Sequence, residues 1–137
     1  MFIATELNDI IELAESINVY NNGETSVYKQ GETPYNQVVE GWVLLTENAH
    51  EMPAFGVSLN KQTISAMSTG LWVEFVFNKP YTHNEMPFEK LLVNVEKLSQ
   101  GFNVIRYNAK GGYSGRCYYF DLVGNDMSHF YDILSDL

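Results

Sequence analysis

Residues 71–78 carry the tightest constraint in the chain: Leu71, Val73, Phe75 and Phe77 alternate with Trp72, Glu74, Val76 and Asn78. This is the period-two pattern of a β-strand, and its second face is nearly as apolar as its first. Such a strand belongs at the centre of a sheet, not at its edge.

The flanking segments supply candidates for the other layer. Leu7, Ile10, Ile11, Ala14 and Ile17 fall on one helical face, so the spacing predicts an amphipathic helix from Leu7 to Ile17. Thr5 suits its N-cap, Glu6 and Asp9 suit the positive end of its dipole, and Asn18 closes it. Asn21-Asn22-Gly23 breaks the chain before a short strand at 25–30 and a polar loop through Gly31, Pro34 and Asn36. Residues 37–51 fit two patterns: Val38, Trp42, Leu45 and Ala49 lie on a helical face, while Val38-Val39 and the run 41–45 also suit a buried strand. Helix is the preferred reading. Pro53 ends that element, and a strand at 54–59 leads into a short helix capped by Ser58 or Asn60 and running to Met67.

Beyond the central strand and a loop at 79–87, Phe88, Leu91, Leu92, Val95 and Leu98 repeat the helical stripe. The spacing predicts a second helix there, with Pro87 in its first turn and Gly101 at its C-terminal cap. Residues 102–108 and 116–123 read as strands of an antiparallel hairpin, joined by a loop containing Gly111, Gly112 and Gly115. Met127, Phe130, Tyr131, Leu134 and Leu137 mark a C-terminal helix capped by Asn125 or Asp126. The sum is an α+β fold: one largely antiparallel sheet with amphipathic helices packed on one side, a two-layer sandwich formed by a single domain over residues 1–137.

A charged fraction of 18% against 45% apolar residues excludes a disordered chain. Lone Cys117 leaves no partner for an internal disulfide, the start Met1 to Glu6 has no basic segment ahead of an apolar one, and apolar runs such as Trp42 to Leu45 are far too short for a membrane span. The expected location is the cytoplasm, with no membrane contact.

Charge gives the functional direction. The net charge is −9, which argues against direct binding of nucleic acid, whose phosphates are held by displacing counterions with Lys and Arg. The asymmetry is sharper still: residues 1–60 hold nine acids and one base, Lys29, whereas residues 61–137 hold eight acids and seven bases. Asp9, Glu12, Glu15, Glu24 and Glu32 are therefore the expected contacts of an acidic N-terminal face with a basic partner protein. Small nuclease inhibitors, immunity proteins and DNA mimics use the same physics, and the comparison is one of physics alone.

Other chemistry is thinly represented. His50-Glu51 opens a zinc-protease pattern but Ala54 stands where its second histidine belongs, and His83-Asn84-Glu85 lacks the paired cysteines of a deaminase. No metal or cofactor is expected. Ser58 and Ser114 lack a nucleophile elbow, and Cys117 beside Arg116, with His50, His83 or His129 as base, is the lowest-ranked enzymatic reading. The alternative to the acidic face is an anion site on the glycine-loop hairpin. If residue 108 pairs with 116, then Arg106, Arg116 and Tyr118 share one sheet face, with Lys110 at the loop; a one-residue slip separates the arginines. Tyr81, Tyr107 and Tyr113 lie in the neighbouring loops, and the proline-bounded stretch 80–87, with His83, Glu85 and Met86, is a further candidate contact loop. Self-association is compatible with all of these readings.

Overall fold

The computed structural model describes residues 2, 3, 5–53 and 56–137, with side chains from Glu6 onward. In chain order the elements are β1 (Phe2–Ile3), α1 (Thr5–Ile11), β2 (Ser16–Asn21), β3 (Glu24–Lys29), α2 (Thr33–Thr46), β4 (His50–Met52), β5 (Val57–Ser58), α3 (Asn60–Ala66), β6 (Leu71–His83), β7 (Met86–Val95), β8 (Gly101–Tyr107), β9 (Gly115–Arg116), β10 (Tyr118–Asp121) and α4 (Ser128–Ser135). Eight strands form one antiparallel sheet in the order β1-β4-β10-β8-β7-β6-β2-β3, and β5 pairs with β9 in a small second sheet. The α+β sandwich is thus the observed architecture, with α1, α2 and α4 packed on one face of the sheet. No described helix is long and apolar enough to cross a membrane.

The alternation at 71–77 sits where it should. β6 lies between β2 and β7, pairing Phe75 with both Ile17 and Leu91. Its odd-numbered residues face the main core with α1, α2 and α4, where Trp42, Phe75, Phe102, Phe120 and Phe130 meet. Its Trp72 faces the other way, into a smaller cluster with Leu92, Tyr113 and Met67 that α3 and the loop before β9 cover. Burial on both faces explains the doubly apolar pattern.

Three elements depart from the expectations. The first helix ends at Ile11, and Ile17 and Val19 are inward residues of β2, so Asn18 lies in a strand instead of closing a helix. The buried Ile17 satisfies both a helical stripe and a strand's alternation, and pairing with β3 and β6 decides for the strand. The side chain of Thr5 lies outside the described residues, as do Ala54 and Phe55 of the strand expected there. Within 37–51 the helix is real but ends at Thr46, and His50 to Met52 form β4.

The larger correction is β7. The expected loop 79–87 and helix 88–98 are instead the second half of β6 and a ten-residue strand, joined by a tight turn at Asn84-Glu85. The register shifts between Val76 and Tyr81, so Phe88 and Leu91 both point into the main core although three residues apart, while Leu92 faces the second cluster. β7, covered on both faces and paired across a bulge in β6, therefore mimics the helical stripe; the last member, Leu98, is exposed outside any element.

Smaller departures concern caps and register. Leu59 is the N-cap of α3, and Asn60 instead accepts the Tyr113 amide. Asp126 holds the start of α4 by accepting from the Ser128 amide and hydroxyl. β8 and β10 do pair, but Tyr118 stands opposite Val104, two residues from the 108–116 register. Asn108 bridges to Gly112, and Arg116 pairs with Val57.

Two expected outcomes follow from this packing. Glu85 has φ 65°, a left-handed conformation that costs a side-chain-bearing residue about 1 kcal/mol. Glu85→Gly should therefore raise unfolding free energy by about 0.5–1 kcal/mol in urea titration. Trp42→Phe keeps a ring in the core but removes the indole N–H from Asn8 Oδ1, 2.8 Å away, and should cost about 1–3 kcal/mol in the same measurement.

Candidate interaction surface

The five acids singled out at the N-terminal end are all exposed. The β2–β3 hairpin brings three of them, Glu12, Glu15 and Glu32, near one corner. Its turn at Asn22-Gly23, with Gly23 at φ 88°, sends β3 back beside β2, so the Gln30 amide reaches the Glu15 carbonyl. Glu32 caps the turn that follows by accepting the Lys29 amide, and burial, with Gln30 opposing and the charge of Glu12 adding, raises the phenol of Tyr35, whose hydroxyl donates to the Ala14 carbonyl. Asp9 lies one helical turn before Glu12 on α1. Glu24 does not join them: it opens β3 opposite Asn21, at the far end of the hairpin, about 17 Å away along the strand.

A second acidic feature, not singled out in the sequence, lies on the helical layer. Gly41 lets α4 settle onto α2: a Cβ there would stand 2.7 Å from Ile133 Cδ1 and 3.2 Å from Phe130 Cδ1. The two helices run antiparallel, because the end of α2 at Glu47 faces Asp126 while Gln37 faces Asp136 and Leu137. Between them runs a groove formed by two adjoining hollows of about 340 and 410 Å³ that share Gly41, Leu44 and His129. Its middle holds Leu44 beside His129, and Glu47 with Asp126 at one end and Glu40 with Asp136 at the other give it acidic ends. Among the described residues no Lys or Arg lines it.

The hairpin residues take separate places. Arg106 is buried and spends its guanidinium on carbonyls, Nε donating to Arg116 O at 2.8 Å and Nη1 to Pro87 O at 2.7 Å. Tyr118, also buried, donates its hydroxyl to the carbonyls of His83 and Met86. Arg106 and Tyr118 are thus neighbours that clasp the end of the β6–β7 hairpin, whereas Arg116 and Lys110 are exposed outside that contact. The loop 80–87 is part of the same clasp: buried His83 Nε2 lies 2.6 Å from buried Glu51 Oε1, and Asn84 Nδ2 donates to Glu51 Oε2 at 2.6 Å.

Cys117 is 2% exposed, and burial pushes its thiol up from the ordinary 9.0, against the pull of Ser58 and Arg106. The cleft beside it, between α3 and the second sheet face, carries no histidine. Among the described residues no group of three or more His, Cys, Asp or Glu side chains is placed to hold a metal. The most deeply buried acid is Glu74, fully enclosed on the second face. Tyr20 donates to it at 2.6 Å, Asn18 at 3.0 Å, and Tyr113 through a short hydrogen bond. A lone acid within an apolar alternation was the only sequence signal for it.

Comparison of the chain with protein-family models, with curated proteins and with solved structures finds no match among any of them.

The buried phenols set an alkaline limit on this arrangement. Burial, then the charge of Glu74, pushes Tyr113 well above its ordinary 10.0; burial, with Glu51 adding and Arg106 opposing, does the same for Tyr118. The fold holds both protons while the unfolded chain releases them near pH 10, so this stability is complete below pH 10 and is lost as pH rises through the folded values. Tyrosinate absorbance and loss of circular dichroism should therefore rise together above pH 10, and Tyr113→Phe should flatten the stability loss. Tyrosinate appearing for both phenols at pH 10 with structure intact would refute their burial.

Proposed function

We propose that this protein is a non-enzymatic binding protein whose acidic surface docks a positively charged partner protein. One observation carries the reading. Of the nine acids in residues 1–60, all but Glu51 are exposed, and among the described residues none of those eight forms an ion pair; the one carboxylate–lysine pair is Lys97–Asp132, at 3.2 Å. Carboxylates gathered without their own cations repel one another and concentrate a negative field, which steers a cationic partner and is relieved when that partner binds.

The Arg106 hairpin supports this assignment indirectly, since the guanidinium best placed to take an anion already serves two backbone carbonyls. The buried thiol of Cys117 likewise has no adjoining base in its cleft.

The test is affinity capture from a native lysate, comparing the wild type with Glu12→Lys/Glu15→Lys at low and moderate salt. Both residues are exposed, so the variant should fold normally. A basic protein should be retained by the wild type at about 0.01 M salt, where charges act over about 30 Å, and released at about 0.15 M, where they act over about 8 Å. The double reversal should retain markedly less of it. Capture that ignores both salt and charge reversal would overturn the reading.

A further inference from the structure

The groove between α2 and α4 combines three features that point to one kind of occupant. Its centre is open: Leu44, 51% exposed, stands there beside His129, while the space over Gly41 is taken by Ile133 and Phe130 of α4. Its two ends are acidic. The third feature is electrostatic frustration in the helices themselves. A helix C-terminus carries a partial negative charge and favours a cation, yet α2 ends with Glu47 at its C-cap, α4 ends with Asp136 at its C-cap, and neither has a basic residue in its last turn. Because the helices are antiparallel, these two doubly negative termini stand at opposite ends of the groove. Each also lies beside the N-terminus of the other helix, whose partial positive charge offsets part of it, and Lys97 acts on Asp126 as well as pairing with Asp132, but among the described residues no ion pair reaches Glu40, Glu47 or Asp136.

We infer that this groove seats an amphipathic helix of the basic partner, with an apolar patch over Leu44 and a Lys or Arg on either side of it. The inference rests on the binding function proposed above and names its site. The spacing follows from α2: Glu40 and Glu47 are seven residues apart, about 10 Å along the axis, so a helix lying alongside needs its two cations about two turns apart. A helix laid into the groove between two antiparallel helices buries its apolar stripe as a third helix would. A second copy is a poor occupant, because a two-fold contact through this face would set Glu40, Glu47 and Asp136 against their own counterparts.

The probe is a synthetic amphipathic peptide about four turns long, with leucines on one face flanked by lysines two turns apart. Its fluorescence anisotropy is followed at low salt against the wild type, Glu40→Lys/Glu47→Lys, Leu44→Asp and the corner variant Glu12→Lys/Glu15→Lys. All the substituted residues are exposed, and circular dichroism confirms folding. Both groove variants should weaken binding about ten-fold or more, and the corner variant about two-fold through the general field. A glutamate-for-lysine peptide should not bind, and a central proline in the peptide should weaken it as strongly as the groove variants do. Binding that falls with the corner variant but not with the groove variants would overturn the site and leave the acidic-surface function standing. Indifference to the proline would overturn the helical occupant. No binding of the lysine peptide at low salt would overturn the site, while the acidic-surface function stands or falls on the capture experiment above, and a wild-type dimer lost on Leu44→Asp would assign the groove to a second copy instead.

Discussion

The structure turns on the indole of Trp42. It is fully buried, and it meets Phe75 of β6, Phe102 of β8 and Phe130 of α4 edge-on at centroid distances of 5.2, 5.4 and 5.9 Å. One ring thus joins α2 to the middle of the sheet and to the last helix. Its only polar atom is satisfied by Asn8 of α1, whose amide in turn donates to Thr46 at 2.7 Å, and Thr46 donates to the carbonyl of Trp42 itself. The closed circuit lets α1, seven residues long and too short to be stable alone, hold its place. It also fixes the rotation of α2 about its axis. With Trp42 inward, Gly41 is left to receive α4, and Glu40, Leu44 and Glu47 take the side that meets solvent.

The polar groups buried elsewhere divide between two tasks. Glu51, His83 and Asn84, with Arg106 and Tyr118, hold the end of the long β6–β7 hairpin by satisfying its carbonyls and by joining it to β4 near the sheet's edge. Glu74, with Asn18, Tyr20 and Tyr113, anchors the cover of the second face. In both places an acid is enclosed with two or more donors, the condition under which burial of a carboxylate is tolerable. The acids outside need no such enclosure, since water solvates them even where, as at Glu32 and Asp126, a turn also donates to them.

The sequence was most legible where a single period fits. β6, α4 and the β8–β10 pair were readable from periodicity and β3 from its β-favouring residues, and so was the sandwich they build. It was least legible where a residue serves two masters. Ile17 closes a helical stripe from Leu7 and equally begins a strand's alternation, and Phe88, Leu91, Leu92 and Val95 are spaced like a helix because a bulge and a second core intervene. Only partner strands distant in sequence resolve such cases. The same holds for the surface: the acidity of residues 1–60 was plain from composition, but the gathering of Glu12, Glu15 and Glu32, the separation of Glu24, and the groove ends built from Glu40, Glu47 and Asp136 depend on how helices and hairpin return upon one another.

The strand order also governs how the chain reaches this state. Ser16 pairs with Val76 and Glu51 with Phe120, so β2 and β4, besides their partners β3 and β1 within the first half, each need a strand far downstream. Contacts closing such long loops are slow to form, whereas the β6–β7 hairpin needs only its own turn. As the chain leaves the ribosome, β2 and β4 must wait for that hairpin and for β10, and Trp42 has no ring to rest against until Phe75 and Phe102 arrive. The sheet can close only once its second half has been made, and until then the acids of the first half lie on a chain whose like charges repel one another.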